Sequence, residues 1–314
     1  MRIDLVGLGA VGASYGARLL AAGEELHVVL DPARAGRYRD APTTVNSEAV
    51  RFPLQASDDG PADLVLVCVK RAQLDAAIAL LGPSVGPGTI VLSLLNGIDS
   101  EEVVAAAFPQ ALVLPSFCVG LDAVRDGREV RYTALGRIVF GEPTNPGPRA
   151  AAVTAVEAVF DRAGIAYEVP PDMRRELWWK FLVNVGANQV TAVLKAPYRV
   201  LQQPGSPARE VMLAAQREVV AVARAHGIDL GEPDIDRWLA VLDGLGPDNY
   251  TSMAQDALAG RATEVESFAG AVIAHGGRKE VPVPVNQTLY WLLRAAEPAP
   301  GDLGPGSGDQ GGAA

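Results

Sequence analysis

Residues 2–31 read RIDLVGLGAVGASYGARLLAAGEELHVVLD, and this stretch decides the fold. RIDLV (2–6) is a short apolar strand. GLGAVG (7–12) follows at once, and ASYGARLLAAG (13–23) has helical periodicity up to a terminating glycine. The glycines occupy the G-x-G-x-x-G positions, in the strand–turn–helix context that gives the motif its meaning. Gly7 permits a tight turn, Gly9 lets the backbone approach a pyrophosphate, and Gly12 lets the helix pack closely on the strand. N–H groups at a helix start, with the helix dipole behind them, favour an anion. The next strand, LHVVL (26–30), ends at Asp31, a position from which a carboxylate reaches a ribose 2′-hydroxyl. The segment reads as a dinucleotide site lined by Gly7, Leu8, Gly9, Ala10, Val11, Gly12 and Asp31. The alternative is a glycine turn with a purely structural job.

Working outward, strands are expected at 62–69, 89–95 and 111–119, helices at 71–81 and 147–163, and a turn and helix over 96–108. Residues 128–141 alternate like an antiparallel pair. Strand–helix alternation implies a mostly parallel, doubly wound sheet of Rossmann type. From Pro170-Pro171 the texture changes to helical patterns alone, at 173–195, 207–226, 232–243, 251–259, 263–275 and 285–296. The expectation is an α/β dinucleotide-binding domain over 1–169 and an all-helical substrate domain over 170–296. Residues 297–314 hold six Gly, three Pro, three acidic residues and no basic one, which describes a solvated, disordered tail.

Composition narrows the function. Across 314 residues, 27 basic and 37 acidic side chains give a formal charge of −10, against a general nucleic-acid binder. No apolar run reaches the ~18–20 residues that span a bilayer, and no signal segment opens the chain, so a cytoplasmic protein is expected. Cys68 and Cys118 lie in apolar runs and read as buried free thiols. His27, His226 and His275 are isolated in sequence, so no metal site is expected.

Polar residues in unusual places mark the candidate chemistry. Lys70 and Asn96-Gly97 follow two strands, where ligands bind in open α/β sheets. Each is also explained by an ordinary strand end or turn. The segment RRELWWKFLVNVGANQVTAVL (174–194) is mostly apolar, yet Lys180, Asn184 and Asn188 recur every fourth residue and share one face, with Glu176 a turn earlier. Such a stripe needs solvent or a polar ligand, because an unpartnered buried polar group costs about 2–7 kcal/mol. NYTSMAQDALAGRATEVE (249–266) is a second polar cluster, readable as helix, Gly260 break and next helix start.

Taken together, GLGAVG, CVKRAQ (68–73), LNG (95–97), RELWWKFLVNVGANQVTAV (175–193) and SMAQDALAGRATEVE (252–266) resemble the ketopantoate reductases, the 2-dehydropantoate 2-reductases. The pieces occur in the expected order over nearly the whole chain. The resemblance implies NAD(P)H-dependent reduction of 2-dehydropantoate to (R)-pantoate, with Lys180 as the general acid and Glu264 as the supporting acidic residue. It implies substrate binding by Asn96, Asn184, Asn188, Asn249 and Ser252, and cofactor contacts from Lys70, Gln73 and Asn96. Hydride arrival makes negative charge on the ketone oxygen, and a positioned cationic acid lowers that barrier. One departure concerns the cofactor. Asp31 stands where members using NADPH commonly carry arginine, and it favours NADH, although Arg34 and Arg37 are close in sequence. A second is SFCVGLDAVRDG (116–127), which differs from the usual small and hydroxyl-rich residues near the substrate and leaves the exact 2-oxo acid open. Other readings are a paralogous reductase of another branched 2-oxo acid and a non-catalytic dinucleotide sensor. The apolar helices allow a homo-oligomer.

Overall fold

The computed structural model describes residues 1–31, 35, 36, 38, 39, 41–55 and 59–297. Arg34, Arg37 and the tail over 298–314 lie outside the described residues. The chain divides into two compact units. Of the described residues, the first contains Met1–Leu95 and Asp99–Arg174, and the second Asn96–Ile98 with those from Arg175 onward.

The first unit is built on a five-stranded parallel sheet in the order β2-β1-β5-β6-β7. These strands are β1 (Arg2–Val6), β2 (Glu25–Val29), β5 (Leu64–Val67), β6 (Ile90–Ser93) and β7 (Leu112–Leu114). Helix α1 (Ala10–Ala21) joins β1 to β2, α2 (Leu74–Leu81) joins β5 to β6, and α3 (Ser100–Ala107) joins β6 to β7. Alternate strand residues enter two separate cores. Ile3, Leu5, Leu66 and Leu92 pack with Ala13, Tyr15 and Leu19 of α1 and with Val156 and Phe160 of α4 (Ala150–Ala163). Val6, Val67 and Val91 pack on the other face with Leu74 and Leu81 of α2 and Val104 of α3. A sheet covered on both faces favours apolar residues at nearly every position, hence the largely apolar strands.

Two small sheets complete the unit. The hairpin β3 (Thr43–Val45) and β4 (Glu48–Val50) joins β10 (Glu129–Arg131) and β9 (Val124–Asp126) in the order β4-β3-β10-β9. The other sheet runs β12-β11-β8, from β12 (Ala166–Glu168), β11 (Arg137–Phe140) and β8 (Ser116–Val119). Two expectations are corrected here. The strand expected over 111–119 breaks at Pro115 into β7 and β8, which belong to different sheets; proline removes a ladder donor and suits such a break. The alternating segment 128–141 is not an antiparallel pair, since β10 and β11 also lie in different sheets and each pairs elsewhere.

Among the described residues the second unit is entirely helical. It contains α5 (Met173–Leu194), α6 (Arg199–Gln202), α7 (Pro207–Ala225), α8 (Glu232–Asp243), α9 (Ser252–Leu258), α10 (Ala269–Arg278) and α11 (Pro284–Ala296). Helix α5 enters from the first unit at Met173 and Arg174. The Pro170-Pro171 texture change precedes the observed division because Asn145 holds this segment back. Asn145 Nδ2 donates to the Pro170 carbonyl (2.7 Å), and Asn145 N donates to that of Pro171 (2.8 Å). In the second unit, α5 packs through Phe181, Leu182 and Val185, all buried. Trp179 Nε1 donates to the Asp234 carbonyl of α8 (3.1 Å), Arg237 stacks over the Trp179 ring at 3.7 Å, and Arg175 pairs with Asp234 at 2.6 Å. These contacts give Arg175 a structural role.

Candidate active site

The motif glycines have different reasons to be glycine. Gly7 has φ +98°, and a Cβ there would lie 2.6 Å from the Cys68 carbonyl oxygen of the neighbouring strand end. At Gly12 a Cβ would lie 2.0 Å from the Gly7 carbonyl oxygen. Both are required by the protein's own packing. Gly9 is different: a Cβ would meet only the Cys68 carbonyl oxygen, at 3.9 Å. Gly9 is the N-cap of α1, with no side-chain cap and no acidic residue in the first turn. Folding does not demand a glycine there, whereas close approach of an anionic ligand to the backbone does.

The sheet order puts this turn where ligands bind. The chain runs from β1 outward to β2, then returns to β5 on the other side of β1, so the order reverses between β1 and β5. Val6 is in register with Val29 and with Val67, so the Gly7 turn, Asp31 and Lys70 follow the same edge. Asp31 is exposed. Lys70 is exposed at the start of a single 3₁₀ turn, Arg71–Gln73, in which Gln73 N donates to the Lys70 carbonyl (2.8 Å), and Gln73 is exposed.

Behind β6 lies a buried hydroxyl and carboxyl cluster. Ser93 Oγ donates to Ser100 Oγ (2.7 Å), Ser100 Oγ to Glu101 Oε2 (3.0 Å), and Ser116 N to Glu101 Oε1 (3.4 Å). Burial pushes the Glu101 carboxyl up to about 7, against the lowering effect of its hydrogen bonds. The two cysteines are free; Cys68 is buried and Cys118 half-buried.

The second unit contains a line of side-chain hydrogen bonds from three distant segments. Asn188 Nδ2 donates to Asn184 Oδ1 (3.1 Å), Asn184 Nδ2 to Asn96 Oδ1 (3.3 Å), and Asn96 Nδ2 to Glu264 Oε2 (3.0 Å). Every amide in the line donates toward the carboxylate, which ends it as acceptor. Asn184 and Asn188 are 4% and 7% exposed, so the α5 stripe is not a solvent-facing edge. Lys180, half-buried, precedes Asn184 by one turn on the same face. The line joins Asn96, Asn184, Asn188 and Glu264.

Asn249 and Ser252 are exposed and flank the N-terminus of α9. That terminus is fixed by Thr251, whose hydroxyl caps α9 by accepting from Ala254 N (3.1 Å) and lies 2.7 Å from the Thr191 hydroxyl of α5. Thr191 follows Asn188 by three residues, so the two clusters are tied through a pair of threonines that sequence reasoning missed. Helical spacing held the signal for Thr191, but nothing local identified Thr251 as its partner. Also missed was a buried network in which Gln189 Nε2 donates to Asn286 Oδ1 (3.1 Å) and Asn286 Nδ2 to Glu218 Oε2 (2.7 Å). His226 and His275, isolated in sequence, lie with ring centroids 5.0 Å apart beside Trp178. Among the described residues no group of three His, Cys, Asp or Glu side chains is arranged to hold a metal ion. Nor is any helix among them long and apolar enough to cross a membrane.

Residues 3–145 match the family described as ketopantoate reductase PanE/ApbA, and residues 172–297 match its C-terminal counterpart. The chain is 32% identical to the 2-dehydropantoate 2-reductase of Halobacterium salinarum over 311 residues, covering 95% of this chain and 99% of that protein. It superposes on the crystal structure of 2-dehydropantoate 2-reductase from Geobacter metallireducens GS-15 with a TM-score of 0.82 at 28% identity, covering 94% and 100% of the two chains. A D-mandelate dehydrogenase solved with NADH shares the fold, with a TM-score of 0.84 at 22% identity and coverage of 94% and 98%. With both halves matched in order and a relative this similar from end to end, the chain belongs to the ketopantoate reductase family.

Proposed function

We propose that this chain is an NAD(P)H-dependent reductase that converts 2-dehydropantoate to (R)-pantoate. The observation that carries this reading is the hydrogen-bonded line from Asn188 to Glu264, with Lys180 one helical turn along. The reading is supported by the names of its relatives and by a glycine turn whose middle glycine the protein's own packing does not require.

The glycine cradle fits a dinucleotide. Gly7, Leu8, Gly9, Ala10, Val11 and Gly12 would hold the pyrophosphate, Asp31 the ribose hydroxyls, and Lys70 and Gln73 the adenosine side. When bound, the nicotinamide supplies the hydride. The Lys180 ammonium gives its proton to the ketone oxygen and attracts the substrate carboxylate beforehand. Asn96, Asn184 and Asn188 each have a second amide N–H beyond the one used in the line, suited to keto and hydroxyl oxygens. Glu264 holds Asn96 and the substrate hydroxyl as an acceptor. Ser252 and Asn249 bind the carboxylate end.

The test is a set of steady-state rates on 2-dehydropantoate and a panel of other branched 2-oxo acids, with NADPH and NADH in turn. The highest kcat/KM is expected on 2-dehydropantoate. A higher value on another 2-oxo acid reassigns the chain to a paralogous activity, and dinucleotide binding without oxidation by any acid defeats the enzyme reading. Asp31 predicts that NADH serves at least as well as NADPH, and a preference for NADPH of about a hundredfold refutes that assignment.

A further inference from the structure

The proposed site depends on Glu264, yet Glu264 sits in a short connection after the Gly260 break and before a single 3₁₀ turn, Val265–Ser267. A carboxylate needed at one position cannot be left on a loose segment, so its neighbours must be fixed. The α9 side does part of this: Arg261 Nε donates to Asp256 Oδ1 (2.8 Å), and Arg261 N donates to the Asp256 carbonyl (2.9 Å). The rest comes from the far end of the chain. Glu297 Oε1 accepts two hydrogen bonds from the residue before Glu264, from Thr263 N (2.9 Å) and Thr263 Oγ1 (2.7 Å). Its other oxygen, Oε2, accepts from Arg294 Nη1 (2.8 Å). Tyr290 Oη donates to Glu266 Oε1 (2.8 Å), two residues beyond Glu264.

Tyr290, Arg294 and Glu297 follow at spacings of four and three, so the two helical residues and the C-cap line one face at the end of α11. That face grips the connection on both sides of Glu264. The Glu297 side chain is only 11% exposed, so its bonds are sheltered from competing water. Composition assigns Glu297 to the disordered tail; its hydrogen bonds place it in the folded unit instead.

We infer that Glu297 is a positioning residue for the proposed reduction, which holds the Glu264 carboxylate in place through Thr263 and thereby keeps Asn96 and Asn184 aligned. This inference rests on the reading of Glu264 as part of the site. The Thr263 N–H and hydroxyl converge on one oxygen, so losing the carboxylate releases both together.

The test compares Glu297→Ala, Glu297→Gln, Thr263→Val, Thr263→Ser and Glu264→Gln in the full-length protein. Readouts are kcat, KM for 2-dehydropantoate, NADPH affinity by fluorescence titration, and Tm. Glu297→Ala is expected to lower kcat/KM for the oxo acid by about tenfold to a hundredfold, as small misplacements of site groups do. NADPH affinity should stay within about twofold, Glu297→Gln and Thr263→Ser should recover most of the loss, and Glu297→Ala with Thr263→Val should be no worse than either alone. An impaired Glu264→Gln beside a Glu297→Ala that keeps wild-type kcat/KM overturns the inference and leaves the site reading standing. Glu264→Gln at the wild-type rate overturns the site reading and this inference with it. A Glu297→Ala variant that loses Tm and NADPH affinity together, without recovery in Glu297→Gln, assigns Glu297 a merely structural role and also overturns it.

Discussion

The Gly7–Gly12 turn and the α5 amide line are both polar, but they are made from different parts of the chain. The turn uses main chain: a backbone cradle in which three of six consecutive residues are glycine. The line uses side chains: three asparagines and a carboxylate from positions 96, 184, 188 and 264, joined only after folding. At Gly7 and Gly12 the backbone site tolerates almost no added atoms, because a Cβ at either position meets a carbonyl oxygen. A side-chain site tolerates changes of shape but not a missing partner, because a buried amide without one costs about 1–3 kcal/mol.

Four tests probe that contrast, from the largest expected effect to the smallest. Lys180→Ala is predicted to reduce kcat by about 10²–10⁴-fold, the usual worth of a positioned proton donor, while a fluorescence titration shows nearly unchanged cofactor binding. Near-normal turnover would remove Lys180 from the mechanism.

The second is Gly12→Ala set against Gly9→Ala. The first forces a Cβ to 2.0 Å from a carbonyl oxygen and is expected to cost about 3 kcal/mol, read by urea unfolding. The second meets nothing closer than 3.9 Å and should cost under about 1 kcal/mol, while weakening dinucleotide binding clearly. Equal stability losses would erase the distinction drawn between these glycines.

The third test is Glu101→Gln, because the first unit also encloses a side-chain carboxyl. Its folded value of about 7 exceeds the ordinary 4.5, so the native state holds a proton that the unfolded chain has released across that window. This stabilisation is complete below about pH 4.5 and is lost as pH rises toward 7, on the order of 3 kcal/mol in all. Wild-type stability should therefore fall relative to Glu101→Gln over that range, and parallel stability–pH curves would contradict the assignment. The smallest effect is expected from Asn184→Leu. It leaves Asn188 Nδ2 and Asn96 Oδ1 without their partner, for a loss of about 1–3 kcal/mol by urea unfolding, and it should raise KM for the oxo acid more than KM for the cofactor.

The same contrast explains what the residues disclosed in advance. The glycine turn was legible because its three glycines and its flanking strand and helix are contiguous. The Lys180–Asn184–Asn188 stripe was legible because helical spacing turns sequence separation into direction. Three features were not legible. The change of sheet at Pro115 depends on which neighbour each half-strand finds. The β3–β4 hairpin, whose turn residues Asn46 and Ser47 adopt positive φ, has strands of three residues each, too short and too weakly apolar to show a pattern. The pairings of Thr251 with Thr191 and of Glu297 with Thr263 join residues 60 and 34 positions apart, where no local pattern connects them.

Asn96–Ile98 is the briefest segment of the chain with a separate allegiance: it sits between β6 and α3 in sequence and belongs to the helical unit by its contacts. That arrangement bears on inheritance and on engineering. A crossover at the Arg174–Arg175 boundary would look clean on a map, yet it would separate Glu264 and Asn184 from the asparagine to which they are hydrogen-bonded. A chimera between two relatives must carry these three residues with the helical half, so the modules that can be exchanged are defined by partnership and not by a single cut.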